Sequence, residues 1–483
     1  MARETVQIPL TTTTEPDLPV FAAEPGSFRD PGGRIYWWGD RVLRTVMPSA
    51  AEDFDYAEAS GLIAGLIERG MLIPQAHRPP GLLGDLASGA RYVLEHPRLD
   101  FISYPYEWPF PALKAAALLQ LDLYLEALER NVVLSDATAY NIQFDGTRPL
   151  FIDRLSFCRY VDGQFWLGHR QFCEQFLNPL LLRSMFGIPH NAWYRGSPEG
   201  IGAAELSALL PLHRKASWRV LTNVVMQGSL QKTRSSDAHR AVAGKLRFPK
   251  AAFVRLLRGL RTWIESLQPA DRRPTTWQDY ARQNSYRDAE AEAKRNFVSR
   301  FVSDSRVRMV WDIGCNTGDY SVAALRAGAR SVIGFDFDHG ALDLAFDRAR
   351  VERLAFLPLF LDVTNPAPDQ GWSQRERKGL QARAGADGVL ALALIHHVAI
   401  SRNVPLADVI GWLTAIAPRG VIEFIPKTDP MVVELLRLRE DIFPDYNEEH
   451  FASCLQQRAR IVATETVSAT GRKLYAFERI PGS

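Results

Sequence analysis

From residue 307 onward the apolar positions fall into two alternating kinds of run. Short apolar runs at 307–312, 331–336, 354–361, 387–394 and 421–425 read as strands. Between them, apolar residues at helical spacing over 320–329, 340–353 and 405–416 read as helices. Two late runs, 459–467 and 473–478, flank Thr470-Gly471 and read as a terminal hairpin. Strands alternating with helices imply a parallel sheet covered on both faces, with its ligand at the carboxyl ends of the strands.

The first half has another pattern. Residues 34–38 and 41–46 flank Gly39-Asp40 and read as a hairpin, followed by a helix over about 51–69 with Tyr56, Leu62, Ile63 and Leu66 on one face. Residues 90–95 and 101–104 are strand-like, and 113–130 is a long Leu- and Ala-rich helix. A buried helix is expected over 165–185, stopped by Gly187-Ile188-Pro189, with helical patterns again from about 203 to 267 and from Trp277 to Phe301. The spacing predicts four parts: a flexible Thr- and Pro-rich tail (1–26), an α+β domain (27–186), a helical connection (187–275) and an α/β domain (276–483).

Composition narrows the class without naming it. At 483 residues, 46% hydrophobic and 23% charged, the chain is long enough for two or three ordinary globular domains. A net charge of +2 gives no global argument for nucleic acid. The basic stretch from Gly228 to Arg273 (Lys232, Arg234, Arg240, Lys245, Arg247 and Lys250 among it) reads as a solvated helix face, with docking of an anion as the sharper alternative. Cys158, Cys173, Cys315 and Cys454 form no CxxC pair, so no metal site is expected and a reducing compartment is. No signal-peptide pattern opens the chain, and no apolar run reaches the ~20 residues of a membrane helix, so a cytoplasmic location is expected.

Candidate chemistry concentrates in Val310-Trp311-Asp312-Ile313-Gly314-Cys315-Asn316-Thr317-Gly318-Asp319, a strand running through a tight turn into a helix. Glycine lets the backbone turn sharply and lets a ligand approach it, and the helix start offers free N–H groups to an anion. Asp336 ends the next strand, where a carboxylate can accept from ribose hydroxyls. A tight connection with nothing bound is the plain alternative. The main competitor is a dinucleotide-binding turn, and against it Asn316 stands where that motif needs its second glycine.

With Asp362 after strand three, Leu394-Ile395-His396-His397 after strand four and Pro418-Arg419-Gly420 before strand five, residues 276–480 resemble class I S-adenosylmethionine-dependent methyltransferases. The resemblance implies a Rossmann-like, mostly parallel seven-stranded sheet with a terminal antiparallel hairpin. It implies that Asp312, Gly314, Asn316 and Gly318 surround the methionine part of S-adenosylmethionine. Asp336 would take the ribose hydroxyls, Phe337 would lie near the adenine, and Asp362 would face the adenine amino group. Asn tolerates the left-handed dihedrals that the family meets with Gly at Asn316. Tyr280 and Tyr286 are weaker candidates for lining the site.

Asp136, Asn141 five residues later, a hairpin, and Asp153 ending the next strand resemble the catalytic loop and metal-binding segment of protein kinases and aminoglycoside phosphotransferases. That resemblance implies Asp136 on an acceptor hydroxyl and Asn141 and Asp153 on Mg-ATP, with Arg44 at the family's Lys position and Glu58 as its helix partner. The departures are substantial: no glycine-rich phosphate loop, Arg for Lys, Ser135 before the first Asp and Arg154 after the last. A degenerate kinase-like α+β domain is therefore expected ahead of the methyltransferase domain. The combination, with Arg170-Gln171-Phe172-Cys173 and Glu423 to Pro430, resembles rhizobial nodulation proteins and related bacterial methyltransferases, which implies host-interaction or surface-metabolite chemistry.

His396 and His397 stand at the rim where acceptors would bind. One is a candidate general base, and packing beneath the cofactor is the alternative for both. Lys427 is a candidate for an anionic substrate or for a salt bridge with Asp429. The function expected is methyl transfer to a small-molecule or carrier-bound acceptor, with the kinase-like part as a binding or scaffold module. The alternative is a bifunctional methyltransferase and phosphotransferase.

Overall fold

The structure, a computed structural model, describes residues 21–211, 215, 218–225, 249–271, 285–437 and 440–481. The chain divides into two compact units, Met1–Ala51 with Gln75–Arg98, and Glu52–Pro74 with Leu99–Ser483.

The first unit is a five-stranded antiparallel sheet of β1 (Phe21–Ala23), β2 (Ile35–Trp38), β3 (Arg41–Val46), β4 (Ala76–Arg78) and β5 (Tyr92–Pro97), in the order β1-β2-β3-β5-β4. The expected hairpin is β2–β3, with Gly39 at φ +59° in its turn. Alternation along these strands buries Tyr36, Leu43 and Val93 against Leu83 and Ala87.

In the second unit, helix Phe110–Glu129 packs against β6 (Val132–Leu134) and β8 (Arg148–Phe151), which pair with β9 (Phe157–Arg159) and β7 (Ile142–Asp145) respectively. Three expectations from the first half change. The helix expected over 51–69 is two, Pro48–Ala59 and Leu62–Glu68, because Gly61 turns left-handed at φ +71°. The helix expected over 165–185 carries a π-helical turn at Cys173–Leu177 before Asn178–Phe186, and Gly187 ends it at φ +68°. Residues 101–104 are not a strand. The Gln143 side chain does the work of a neighbouring strand there, accepting from Ser103 N–H at 2.9 Å and donating to its carbonyl at 3.0 Å.

The last two hundred residues build a seven-stranded sheet of β10 (Met309–Ile313), β11 (Ser331–Asp336), β12 (Phe356–Phe360), β13 (Gly388–Ala391), β14 (Arg419–Phe424), β15 (Ala459–Thr466) and β16 (Lys473–Arg479). Its order is β12-β11-β10-β13-β14-β16-β15. The first five strands are parallel, and β16 and β15 run antiparallel at one edge. This is the mostly parallel, Rossmann-like seven-stranded sheet with a terminal antiparallel hairpin that the sequence predicts. The chain leaves β10 to one side for β11 and β12, then returns to the other side for β13, so the carboxyl ends of β10 and β13 flank a crevice.

One apolar core joins this sheet to the preceding helices of the same unit. Trp311, fully buried, meets the edges of Phe101 and Phe335 at ring-centre distances of 5.5 and 5.1 Å. Arg383 and Glu107, both almost fully buried, form an ion pair, and Arg383 also donates to the Ile102 carbonyl at 2.7 Å. Among the described residues no helix is long and apolar enough to cross a membrane.

Phe356 explains two glycines. Its ring lies where a Cβ on Gly318 or Gly334 would stand, 2.4 and 2.5 Å from the nearest ring carbons. Gly334→Ala should therefore destabilise the protein by about 1–3 kcal/mol through overpacking. In chemical denaturation, adding Phe356→Leu should recover part of that loss, and additive effects would contradict the contact.

Candidate functional site

The turn after β10 is built around positive backbone angles: Gly314 at φ +85°, Asn316 at +48° and Gly318 at +85°. The Phe335 carbonyl accepts from both Gly314 N–H (2.7 Å) and Cys315 N–H (3.0 Å), so the turn is stitched to the end of β11. Helix Asp319–Arg326 starts directly after Gly318. Asn316 also folds its amide oxygen onto Thr317 N–H at 2.8 Å, which stabilises its left-handed backbone.

The structure brings most of the expected donor-site residues to this crevice. Asp336 is buried, and its two oxygens accept from Asn316 N–H (2.8 Å) and Asp338 N–H (2.9 Å). Burial raises its pKa, opposed by those backbone donors. A carboxylate has about four acceptor positions, so two bonds leave room for others. Phe337, next in the chain, is 60% exposed. Asp362 follows β12, half-buried, and one of its oxygens accepts from Thr364 N–H (3.0 Å) and its hydroxyl (2.7 Å). Asp312 points elsewhere: it is buried beneath the turn and accepts from the Ser321 hydroxyl at 2.6 Å. Burial pushes its carboxyl up to about 7 against that hydrogen bond, and the Asp336 and Asp319 carboxylates push the same way. Tyr280 lies outside the described residues, as do Lys232 to Arg247 and the side chain of Tyr286.

The two histidines differ. His396 is 1% exposed, and among the described residues neither ring nitrogen has a hydrogen-bond partner. Burial and the neighbouring His397 push its pKa down to about 2, so it is neutral. His397 is half-buried, with a pKa lowered by burial, and the two rings lie 4.1 Å apart. Lys427 does not bridge to Asp429. It donates to both oxygens of Asp441 at 2.8 Å and to the Phe443 carbonyl at 2.6 Å, while Asp429 caps helix Pro430–Leu436 and pairs with Arg472.

Sequence reasoning gave no role to the buried charges behind this rim. Glu423 in β14 is fully buried, pairs with Lys294 at 2.7 Å and accepts from Ala393 N–H at 2.8 Å. Lys294 is on helix Ser285–Ser305 ahead of the sheet. The available signal was Glu423 itself, an acid inside the otherwise apolar run Val421-Ile422-Glu423-Phe424-Ile425, which demands a buried partner.

The kinase-like candidates form a second cluster. Asn141 lies 3.3 Å from Asp136 and 3.2 Å from Asp153, and Ser156 hydrogen-bonds to both carboxylates. Glu58 accepts from the buried Arg154 at 2.8 Å. In the other unit, Arg44 pairs with Asp30 at 2.8 Å. Among the described residues no group of three or more His, Cys, Asp or Glu side chains is placed to hold a metal ion.

No family model matches the chain. The nodulation protein NoeA of Rhizobium meliloti (strain 1021) is 47% identical over 456 residues, covering 94% of this chain and 95% of its own length. Among solved structures, the magnesium protoporphyrin IX methyltransferase of Synechocystis PCC 6803 with bound SAM is 18% identical, covers 43% of this chain and 92% of its own, and has a TM-score of 0.30. The N-methyltransferase NodS of Bradyrhizobium japonicum WM9 with S-adenosyl-L-homocysteine is 12% identical over 44% of this chain and 93% of its own, also with a TM-score of 0.30. TM-scores this low carry no argument about fold or activity.

The raised Asp312 carboxyl has a measurable consequence. In the folded protein it stays protonated up to about pH 7, while in the unfolded chain it ionises near 3.8. Its contribution to stability is complete below the lower value and is lost as pH rises through the upper one, at about 1.4 kcal/mol per pKa unit. Asp312→Asn should therefore gain stability relative to the unaltered protein between pH 5 and pH 8 in denaturant titrations. A difference that does not change with pH would contradict this.

Proposed function

The chain belongs to the family of the nodulation protein NoeA, and from that premise we propose that it transfers a methyl group from S-adenosylmethionine to a small-molecule or carrier-bound acceptor. The observation that carries the reading is the placement of Gly314–Gly318 and Asp336 together where the strand order reverses.

The residues present fit the donor. A Cβ on Gly314 would come within 3.6 Å of Leu394 and 3.8 Å of the Leu392 carbonyl, narrowing the space between the turn and the segment after β13. The turn and the start of helix Asp319–Arg326 would take the donor's carboxylate. Asp336 would accept from the ribose hydroxyls, Phe337 would lie against the adenine, and Asp362 would face its amino group. When bound, the donor supplies an electrophilic methyl group on a sulfonium. The chain's own contribution is to hold an acceptor in line with it and to remove the acceptor's proton. A useful base titrates near the working pH. His396, held near 2, is a poor one. The half-buried His397 is the better candidate, and His396 packs beneath the rim.

The cluster of Asp136, Asn141 and Asp153 supports a second component. We read this kinase-like region as a binding or scaffold module that helps select the acceptor. Phosphotransfer with Mg-ATP is the alternative, weakened by the missing glycine-rich loop and by the occupation of Glu58 by Arg154.

Titration calorimetry should show binding of S-adenosylmethionine to the full chain, and Asp336→Ala should weaken it by about tenfold or more, the order expected when a charge-assisted hydrogen bond is lost. Absence of binding, or equal binding by the variant, would overturn the proposal. Asp153→Ala should leave donor affinity unchanged, and the full chain should not turn over Mg-ATP. Acceptor-dependent ATP turnover abolished by Asp153→Ala would favour the bifunctional alternative.

A further inference from the structure

The segment that crosses in front of the glycine turn is held in an unfavourable conformation. Ala393, just past β13, has φ +49°, in the left-handed region that costs any residue with a Cβ. It is exposed at the crevice, flanked by Leu392 and Leu394, the two residues nearest the missing Cβ of Gly314. Its N–H is fixed by the Glu423 carboxylate at 2.8 Å.

Glu423 is itself braced. Its other oxygen meets Lys294 at 2.7 Å, and Lys294 reaches Glu290 at 2.9 Å. Glu290 meets Arg472 at 3.2 Å, and Arg472 meets Asp429 at 2.7 Å. Burial would lower the pKa of Lys294, but Glu423, with Tyr320 and Glu290, outweighs it and holds it near 12, so the ammonium stays charged at working pH. A fully buried carboxylate with one ionic partner and one backbone donor has little freedom to move.

We propose that Glu423 is a positioning residue for the methyl donor: braced by Lys294, it clamps Ala393 in the left-handed conformation and so sets Leu392 and Leu394 against Gly314. This rests on the donor reading of the turn. It assigns the buried acid of β14 a role in ligand binding that core packing alone would not require. It also makes helix Ser285–Ser305, which contributes no residue to the turn, part of the same device through Lys294.

The test measures S-adenosylhomocysteine affinity by calorimetry, thermal midpoint, and amide hydrogen exchange at residue 393, using the full chain. Glu423→Ala should weaken binding by about tenfold (~1.4 kcal/mol) and speed exchange at Ala393. Adding Ala393→Gly should restore at least about threefold of that affinity, because glycine adopts positive φ without a Cβ penalty. Should Glu423→Ala fail to fold, Glu423→Gln provides the test. It keeps the shape but offers one oxygen to two donors, so a loss of about threefold is expected. A lowered midpoint with unchanged affinity, or no recovery on adding Ala393→Gly, would overturn the clamp and leave Glu423 a packing residue. If the unaltered chain binds no S-adenosylhomocysteine, the donor reading itself fails, and the clamp with it.

Discussion

The turn after β10 is held from three directions, and the crevice depends on that restraint. Phe356 fills the space behind Gly318 and Gly334, so helix Asp319–Arg326 and β11 can approach each other only without side chains at those points. The Phe335 carbonyl takes two N–H groups of the turn, and the Asp336 carboxylate takes a third, from Asn316. A backbone with three consecutive restraints keeps its left-handed residues in place, where an isolated loop of this sequence would sample many conformations.

Carboxylates crowd this crevice, and each is accommodated differently. Asp312 is buried against the Ser321 hydroxyl and remains protonated up to about neutral pH. At Asp336 burial raises the pKa, and backbone N–H donors from Asn316 and Asp338 oppose it. Glu423, the most buried, is matched by the Lys294 ammonium. The differences follow from one rule: a charge removed from water needs a donor or a counter-charge, and otherwise takes up a proton.

The sheet shares its core with the helical region that precedes it. Phe101 meets Trp311 and Phe335 edge-on and lies under the Arg383 guanidinium. Arg183 reaches Asp343 at 2.8 Å, and Phe144 meets the edge of Phe346. Buried ion pairs of this kind are strongly destabilising when one partner is removed, so they tie segments distant in sequence into one cooperative body.

The order of strands and helices, the glycine turn, the acid ending β11 and the terminal hairpin were legible in the sequence, because each is set by neighbours a few residues apart. Local spacing also marked Asp136, Asn141 and Asp153 as a group. What it could not supply was any pairing that closes over long separations. The Gln143 side chain replaces a strand beside Ser103. Arg154 takes Glu58, Asp441 takes Lys427, and Lys294 finds Glu423 across the sheet. Nor could the sequence tell His396 from His397. Periodicity fixes which face of an element is apolar, but the depth of burial that strips one imidazole of partners depends on what other elements bring against it.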